Sequence, residues 1–239
     1  MMYTFQSRIR YSETDEDGRL RLNALINYFQ DCSTFHSEDC GIGLEWLKQR
    51  NRVWVLNSWQ ILIDRYPDLG ENVLIGTSPY DFRGMFGYRN FWMTDDQGRY
   101  LARANSVWVL LDTESGRPVK VQPEDVEPYG NDKPLVMPEM GRKIRLPEGG
   151  EKQEPIIVRP YQLDTNHHVN NGQYVEMARD CIPPGFQVQE LQAEYRKQAV
   201  LGDELTPRVQ KNENGWIVSL ENGEGLPYAI VKLLGGHGE

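Results

Sequence analysis

Apolar residues recur at helical spacing twice in this chain. Leu25, Ile26, Phe29 and Cys32 stand at i, i+1, i+4 and i+7, and Tyr174, Val175, Ala178 and Cys181 repeat that spacing 149 residues later. Such a stripe covers one face of an α-helix and must bury it against another element. Each predicted helix follows an acidic turn on the same offset. Asp15-Glu16-Asp17-Gly18-Arg19-Leu20 precedes the first, and Asp164-Thr165-Asn166-His167-His168-Val169 precedes the second. Asn170 with Gln173 predicts a capping box where the second helix starts.

After each helix the apolar pattern changes to that of strands. In the first half, residues 53–63, 72–78, 87–94 and 100–111 are rich in β-branched and aromatic side chains, and Asp95-Asp96-Gln97-Gly98 predicts a hairpin turn. In the second half, residues 188–195, 216–220 and 228–234 read as strands, with turns predicted at residues 212–215 and 221–224. Leu201-Gly202-Asp203-Glu204-Leu205 echoes Leu69-Gly70-Glu71-Asn72-Val73. Between the halves, residues 117–155 hold seven of the fourteen prolines and little periodicity. The predicted organisation is an N-terminal repeat over 1–116, a linker over 117–155 and a C-terminal repeat over 156–239. The predicted class is α+β, two tandem repeats, each a curved antiparallel sheet wrapped around a long helix.

Composition narrows the function. The 239 residues are 39% hydrophobic and 26% charged, which is a globular balance. The net charge of −9 argues against a general nucleic-acid binder. No apolar run approaches the roughly 20 residues of a membrane span, and the N-terminus lacks the apolar core of a signal peptide, so a cytoplasmic location is expected. Three cysteines, Cys32, Cys40 and Cys181, do not form a disulfide framework, and no Cys/His cluster has the spacing of a metal site. A structural metal site is therefore not expected.

The densest polar cluster is the turn before the second helix. Asp164 offers a carboxylate, Asn166 an amide and His168 an imidazole that titrates near neutral pH. A helix N-terminus adds backbone N–H groups and the positive end of a dipole, which suit an oxygen gaining negative charge. Together these groups can activate water beside an electrophilic carbonyl. The same residue types also close turns and cap helices, so spacing alone leaves both uses open. Under the repeat, Asp164, Asn166 and His168 face Asp15, Asp17 and Arg19, so the first half keeps the acid without the amide or imidazole. One active site per chain is therefore expected. In the first half, Leu25, Ile26, Phe29 and Trp46, Trp54 or Trp59 are candidates to line an apolar pocket; plain core packing is the alternative use of each.

Asp164-x-Asn166-x-His168-Val169-Asn170-Asn171 followed by Tyr174, with Glu194-Tyr195-Arg196-Lys197 downstream, resembles the acyl-acyl-carrier-protein (acyl-ACP) thioesterases. Asp15-x-Asp17-Gly18-Arg19-Leu20 and the strand around Trp54 are similar to that family's N-terminal half. The resemblance implies a double hotdog, an intramolecular pseudo-dimer of two repeats. It implies hydrolysis of fatty acyl-ACP to free fatty acid and ACP, with Asp164, Asn166 and His168 catalytic and no cofactor. The start of the chain almost at its first strand resembles a bacterial form.

One position departs from the family. Plant members carry a catalytic Glu where Gln198 stands here. A glutamine amide holds a water but does not accept its proton, so base duty falls to Asp164 or His168. Glu194, read as lying on the same strand as Gln198 and about 13 Å away at ~3.3 Å per residue, is a poor substitute. The acidic ACP needs a local basic face, for which Arg142, Lys143, Arg145, Arg196 and Lys197 are candidates. Alternatives are an acyl-CoA thioesterase of the same fold and a non-catalytic acyl-binding hotdog protein. Both monomer and homodimer remain open, as do direct water attack and a covalent intermediate.

Overall fold

A computed structural model describes residues 2–139, 141, 143–146 and 149–235. The fold is mixed α and β, with antiparallel sheet predominating and few helices. The chain divides into two compact units, Met1–Asn57 with Asp64–Glu139, and Ser58–Ile63 with Met140–Glu239. The division falls inside the proline-rich segment. Residues 117–139 belong to the first unit, where Val121 donates its N–H to the Gly84 carbonyl and Tyr129 is buried.

In the first unit, strand β1 (Tyr3–Arg8) leads through a single 3-10 turn into helix α1 (Leu22–Asp39) and the short α2 (Leu44–Lys48). Strands β2 (Arg52–Ile63), β3 (Asn72–Arg83), β4 (Phe86–Thr94) and β5 (Tyr100–Asp112) follow, in the order β1-β3-β4-β5-β2. The predicted stripe is the buried face of α1: Leu25, Ile26, Phe29 and Cys32 are all buried. Phe29 meets Phe91 of β4 with ring centroids 5.4 Å apart, and burying each such ring contributes about 2 kcal/mol. Gly76 on β3 is required by packing, because the Trp92 indole occupies the place of a Cβ. β3 runs past Pro79, where the sequence pattern ends it, because a bulge between Pro79 and Asp81 absorbs the missing N–H.

In the second unit, residues 58–62 of β2 pair with β8 (Glu190–Tyr195), Ser58 opposite Glu194 and Leu62 opposite Glu190. The order continues through β11 (Pro227–Leu234), β10 (Gly215–Glu221) and β9 (Glu204–Asn212). Two short strands, β6 (Glu151–Lys152) and β7 (Ile156–Ile157), both pair with β9. Helix α3 (Asn171–Asp180) buries Tyr174, Val175 and Ala178 as predicted. It has ten residues against eighteen in α1, so the expected long helix is found in the first half and not in the second. The Ile182-Pro183-Pro184-Gly185 sequence that follows cannot continue a helix.

Each unit contains the same pair of backbone hydrogen bonds. Ile9 N–H donates to the Glu71 carbonyl and Gly70 N–H to the Ile9 carbonyl, as Val158 N–H donates to the Asp203 carbonyl and Gly202 N–H to the Val158 carbonyl. The antiparallel bridges Thr14↔Leu20 and Leu163↔Val169 stand on the offset read from the sequence.

Candidate active site

The turn before α3 is built by its own backbone. Asp164 N–H donates to the His168 carbonyl at 2.7 Å, and His167 N–H to the Asp164 carbonyl at 3.1 Å. The Asp164 Oδ1 accepts the N–H groups of Asn166 and His168 at 2.8 and 3.2 Å. His167 closes the loop in the left-handed region at φ 61°. Asn170 is the N-cap of α3 and its Oδ1 accepts from Gly172 N–H at 2.8 Å. The capping box with Gln173 does not form; Gln173 instead donates its N–H to the Asn170 carbonyl. Two first-turn N–H groups are therefore engaged by the cap.

The segment after β8 is tied to this turn. Val169 donates its N–H to the Ala199 carbonyl at 2.9 Å, and the Ala199 N–H donates to the Tyr174 hydroxyl at 2.8 Å. Asp203 Oδ2 accepts from Val200 N–H and from the Tyr228 hydroxyl. Tyr195 packs edge-on against Tyr174 and its hydroxyl donates to the Asn171 carbonyl. Burial raises both tyrosine hydroxyls above their ordinary range, so they stay protonated at neutral pH. Asp164, Asn166 and His168 thus share one turn, and Gln198 precedes Ala199, which is bonded to Val169 at the end of that turn and to Tyr174 on α3. Asn166 and Gln198 are exposed and Asp164 and His168 half-buried. The His168 Nδ1 is buried and has no hydrogen-bond partner among the described residues.

Gln198 does not lie on a strand, since β8 ends at Tyr195. The expected shared strand face with Glu194 is therefore corrected. Glu194 is buried, accepts the Ile144 N–H at 3.0 Å and pairs with Arg196 at 3.0 Å. These contacts occupy both of its oxygens. A cavity of about 10 Å³ beside Glu194, also lined by Ser58, Ile144 and Gln192, has room for one water. Among the basic candidates, Arg196 is paired with Glu194, Lys197 stands 5.0 Å above the Tyr228 ring, Lys143 and Arg145 are exposed, and Arg142 lies outside the described residues. Trp59 is fully buried, Trp54 packs on Phe82, and Trp46 lies beneath Arg50. Among the described residues no group of His, Cys, Asp or Glu is placed to hold a metal ion. The Tyr174 hydroxyl is a part of the site that the apolar stripe concealed; the signal was a tyrosine where the first half has Leu25.

Comparison with known proteins gives a consistent result. Residues 1–129 match the family model of the acyl-ACP thioesterase N-terminal domain, and residues 147–226 that of the C-terminal domain. A palmitoyl-acyl carrier protein thioesterase of Cuphea hookeriana is 30% identical over 210 residues, covering 80% of this chain and 50% of the plant protein. The chain thus spans about half the length of the curated relatives it matches. Among solved structures, an oleoyl thioesterase (putative) from Lactobacillus plantarum has a TM-score of 0.88 at 27% identity, covering 98% of this chain and 95% of that one. An acyl-ACP thioesterase from Bacteroides thetaiotaomicron has the same TM-score at 24% identity, covering 98% and 97%, and supports the fold alone.

Proposed function

The chain belongs to the acyl-ACP thioesterases, and from that membership we propose that it hydrolyses the thioester joining a fatty acyl chain to ACP. The products are free fatty acid and ACP bearing a free thiol. Asp164, Asn166, His168 and Gln198 form the proposed site. The observation that carries this reading is the pair of hydrogen bonds through Ala199, which fasten the Gln198 segment to Val169 at the end of the turn bearing the other three residues and to Tyr174 on the helix that follows it.

In the proposed reaction Gln198 holds a water through its amide, and His168 accepts the proton as the water oxygen attacks the thioester carbon. The carbonyl oxygen gains charge and is stabilised by the Asn166 amide, a type of contact typically worth about 10²–10³ in rate. The carbon–sulfur bond then breaks and the sulfur leaves as a thiol after taking that proton. We further read the chain as two tandem hotdog repeats, with the first, over 1–116, selecting the acyl chain and the second, over 156–239, carrying the chemistry. The recurring bridges and the parallel strand orders support this reading. A cytoplasmic setting is part of it, supported by three free cysteines.

Replacing His168 by Ala tests the assignment. Hydrolysis of acyl-ACP is expected to fall at least about 10²-fold with the fold intact. Unchanged turnover would remove His168 from the mechanism. Running acyl-CoA thioesters of equal chain length beside the ACP substrates separates the same-fold acyl-CoA activity from the proposed one.

A further inference from the structure

Among the described residues, the Asp164 turn is one of four copies of a single backbone device. In each, the first residue exchanges backbone bonds with the fourth and fifth, and its side-chain oxygen accepts the N–H groups of the third and fifth. Asp15 Oδ1 accepts from Asp17 and Arg19 at 3.0 and 2.9 Å. Asp95 Oδ1 accepts from Gln97 and Arg99 at 3.0 and 2.9 Å. Asn222 Oδ1 accepts from Glu224 and Leu226 at 3.0 and 2.8 Å. The fourth residue of each has positive φ: Gly18 at 75°, Gly98 at 76°, Gly225 at 79° and His167 at 61°.

Two features of this set bear on Asp164. The device works at three places that lack the amide and imidazole pair, so the oxygen's common task is closing the turn. At Asn222 it works with a neutral amide, whose oxygen alone can accept two N–H groups, so the geometry does not require a negative charge. Only at Asp164 do the two N–H groups belong to Asn166 and His168. Resting on the proposed function, we infer that Asp164 is a positioning residue. Its Oδ1 sets the backbone of the oxyanion donor and of the base, and its charge takes no part in the reaction. Proton acceptance then falls to His168 alone.

The test compares Asp164→Ala with Asp164→Asn in acyl-ACP hydrolysis, with thermal melts of both and a pH profile of kcat/KM. Loss of the acceptor lets the turn shift, and a displacement of about 1 Å costs on the order of 10²-fold in rate. Asp164→Ala is expected to lose about that factor in kcat with KM little changed, and Asp164→Asn to recover most of it. The pH profile of Asp164→Asn should keep the wild-type acidic limb, because the proton acceptor is unchanged in that variant. Where Asp164→Ala fails to fold, Asp164→Asn decides the matter through its rate and its pH limb. A folded Asp164→Asn that is as slow as the Ala variant, or that has lost the acidic limb, overturns the inference while leaving the thioesterase reading standing. A wild-type chain inactive on every acyl thioester overturns the thioesterase reading first, and this inference with it.

Discussion

The Tyr174 hydroxyl accepts the Ala199 backbone N–H at 2.8 Å, so the apolar face of α3 and the loop carrying Gln198 are held by one hydrogen bond. Both partners are buried. Tyr174→Phe removes the acceptor and keeps the ring, leaving the Ala199 N–H without a partner. The expected cost is about 1–3 kcal/mol in urea denaturation. Turnover should fall by roughly ten-fold or more as Gln198 loses its place. Wild-type stability and turnover together would show that the loop is held by its other bonds.

Gln198 gives a second prediction. With His168 as base, a carboxylate at this position adds little. Gln198→Glu should change kcat by less than about ten-fold, whereas Gln198→Ala, which removes the group holding the water, should lower it by roughly ten-fold or more. A gain of about 10² or more in Gln198→Glu would show that the site lacks its proton acceptor, and the role given to His168 would fail.

His167 occupies the left-handed position that Gly18, Gly98 and Gly225 hold in the sister turns. A side chain there costs about 1–2 kcal/mol, partly offset by the roughly 0.5–1 kcal/mol of extra entropy that a glycine loses on folding. His167→Gly is therefore expected to raise stability by about 0.5–1 kcal/mol. A lowered denaturation midpoint would mean that the His167 side chain makes stabilising contacts.

In the first unit the buried Arg89 guanidinium lies 3.0 Å from His36 Nδ1 and above the Tyr129 ring. Burial, then the Arg89 cation, push the His36 imidazole down to about 4, against the pull of Asp132 and Asp39. The folded value lies below the ordinary 6.5, so the contribution to stability is complete above pH 6.5 and is lost as pH falls toward 4. Between pH 7 and pH 5 the loss should be about 2 kcal/mol. His36→Gln, which keeps an acceptor for Arg89, should flatten that dependence. An equal slope in the variant would assign the acid sensitivity to other groups.

Much of this was legible in the sequence because burial enforces periodicity. Leu25, Ile26 and Phe29 had to share a face, and the hairpin at Asp95 had to carry a turn former. Elements were harder to read where a proline interrupted them. β9 passes through Pro207, and β3 continues beyond Pro79 by bulging. The length of α3 was set by the prolines after Ile182 rather than by its stripe. At the site, residue types identified the turn but not the division of labour within it. The hydrogen bonds of Asp164 Oδ1 and the contact between Tyr174 and Ala199 join residues whose pairing depends on the folded backbone.

The most direct measurement is release of free fatty acid from a panel of acyl-ACPs, octanoyl to stearoyl, by this chain and by His168→Ala. The account predicts hydrolysis by the wild type of at least one member of the panel, faster than of its CoA thioester, and loss of that activity in the variant. No release from any acyl-ACP, or equal release by the two proteins, would contradict it.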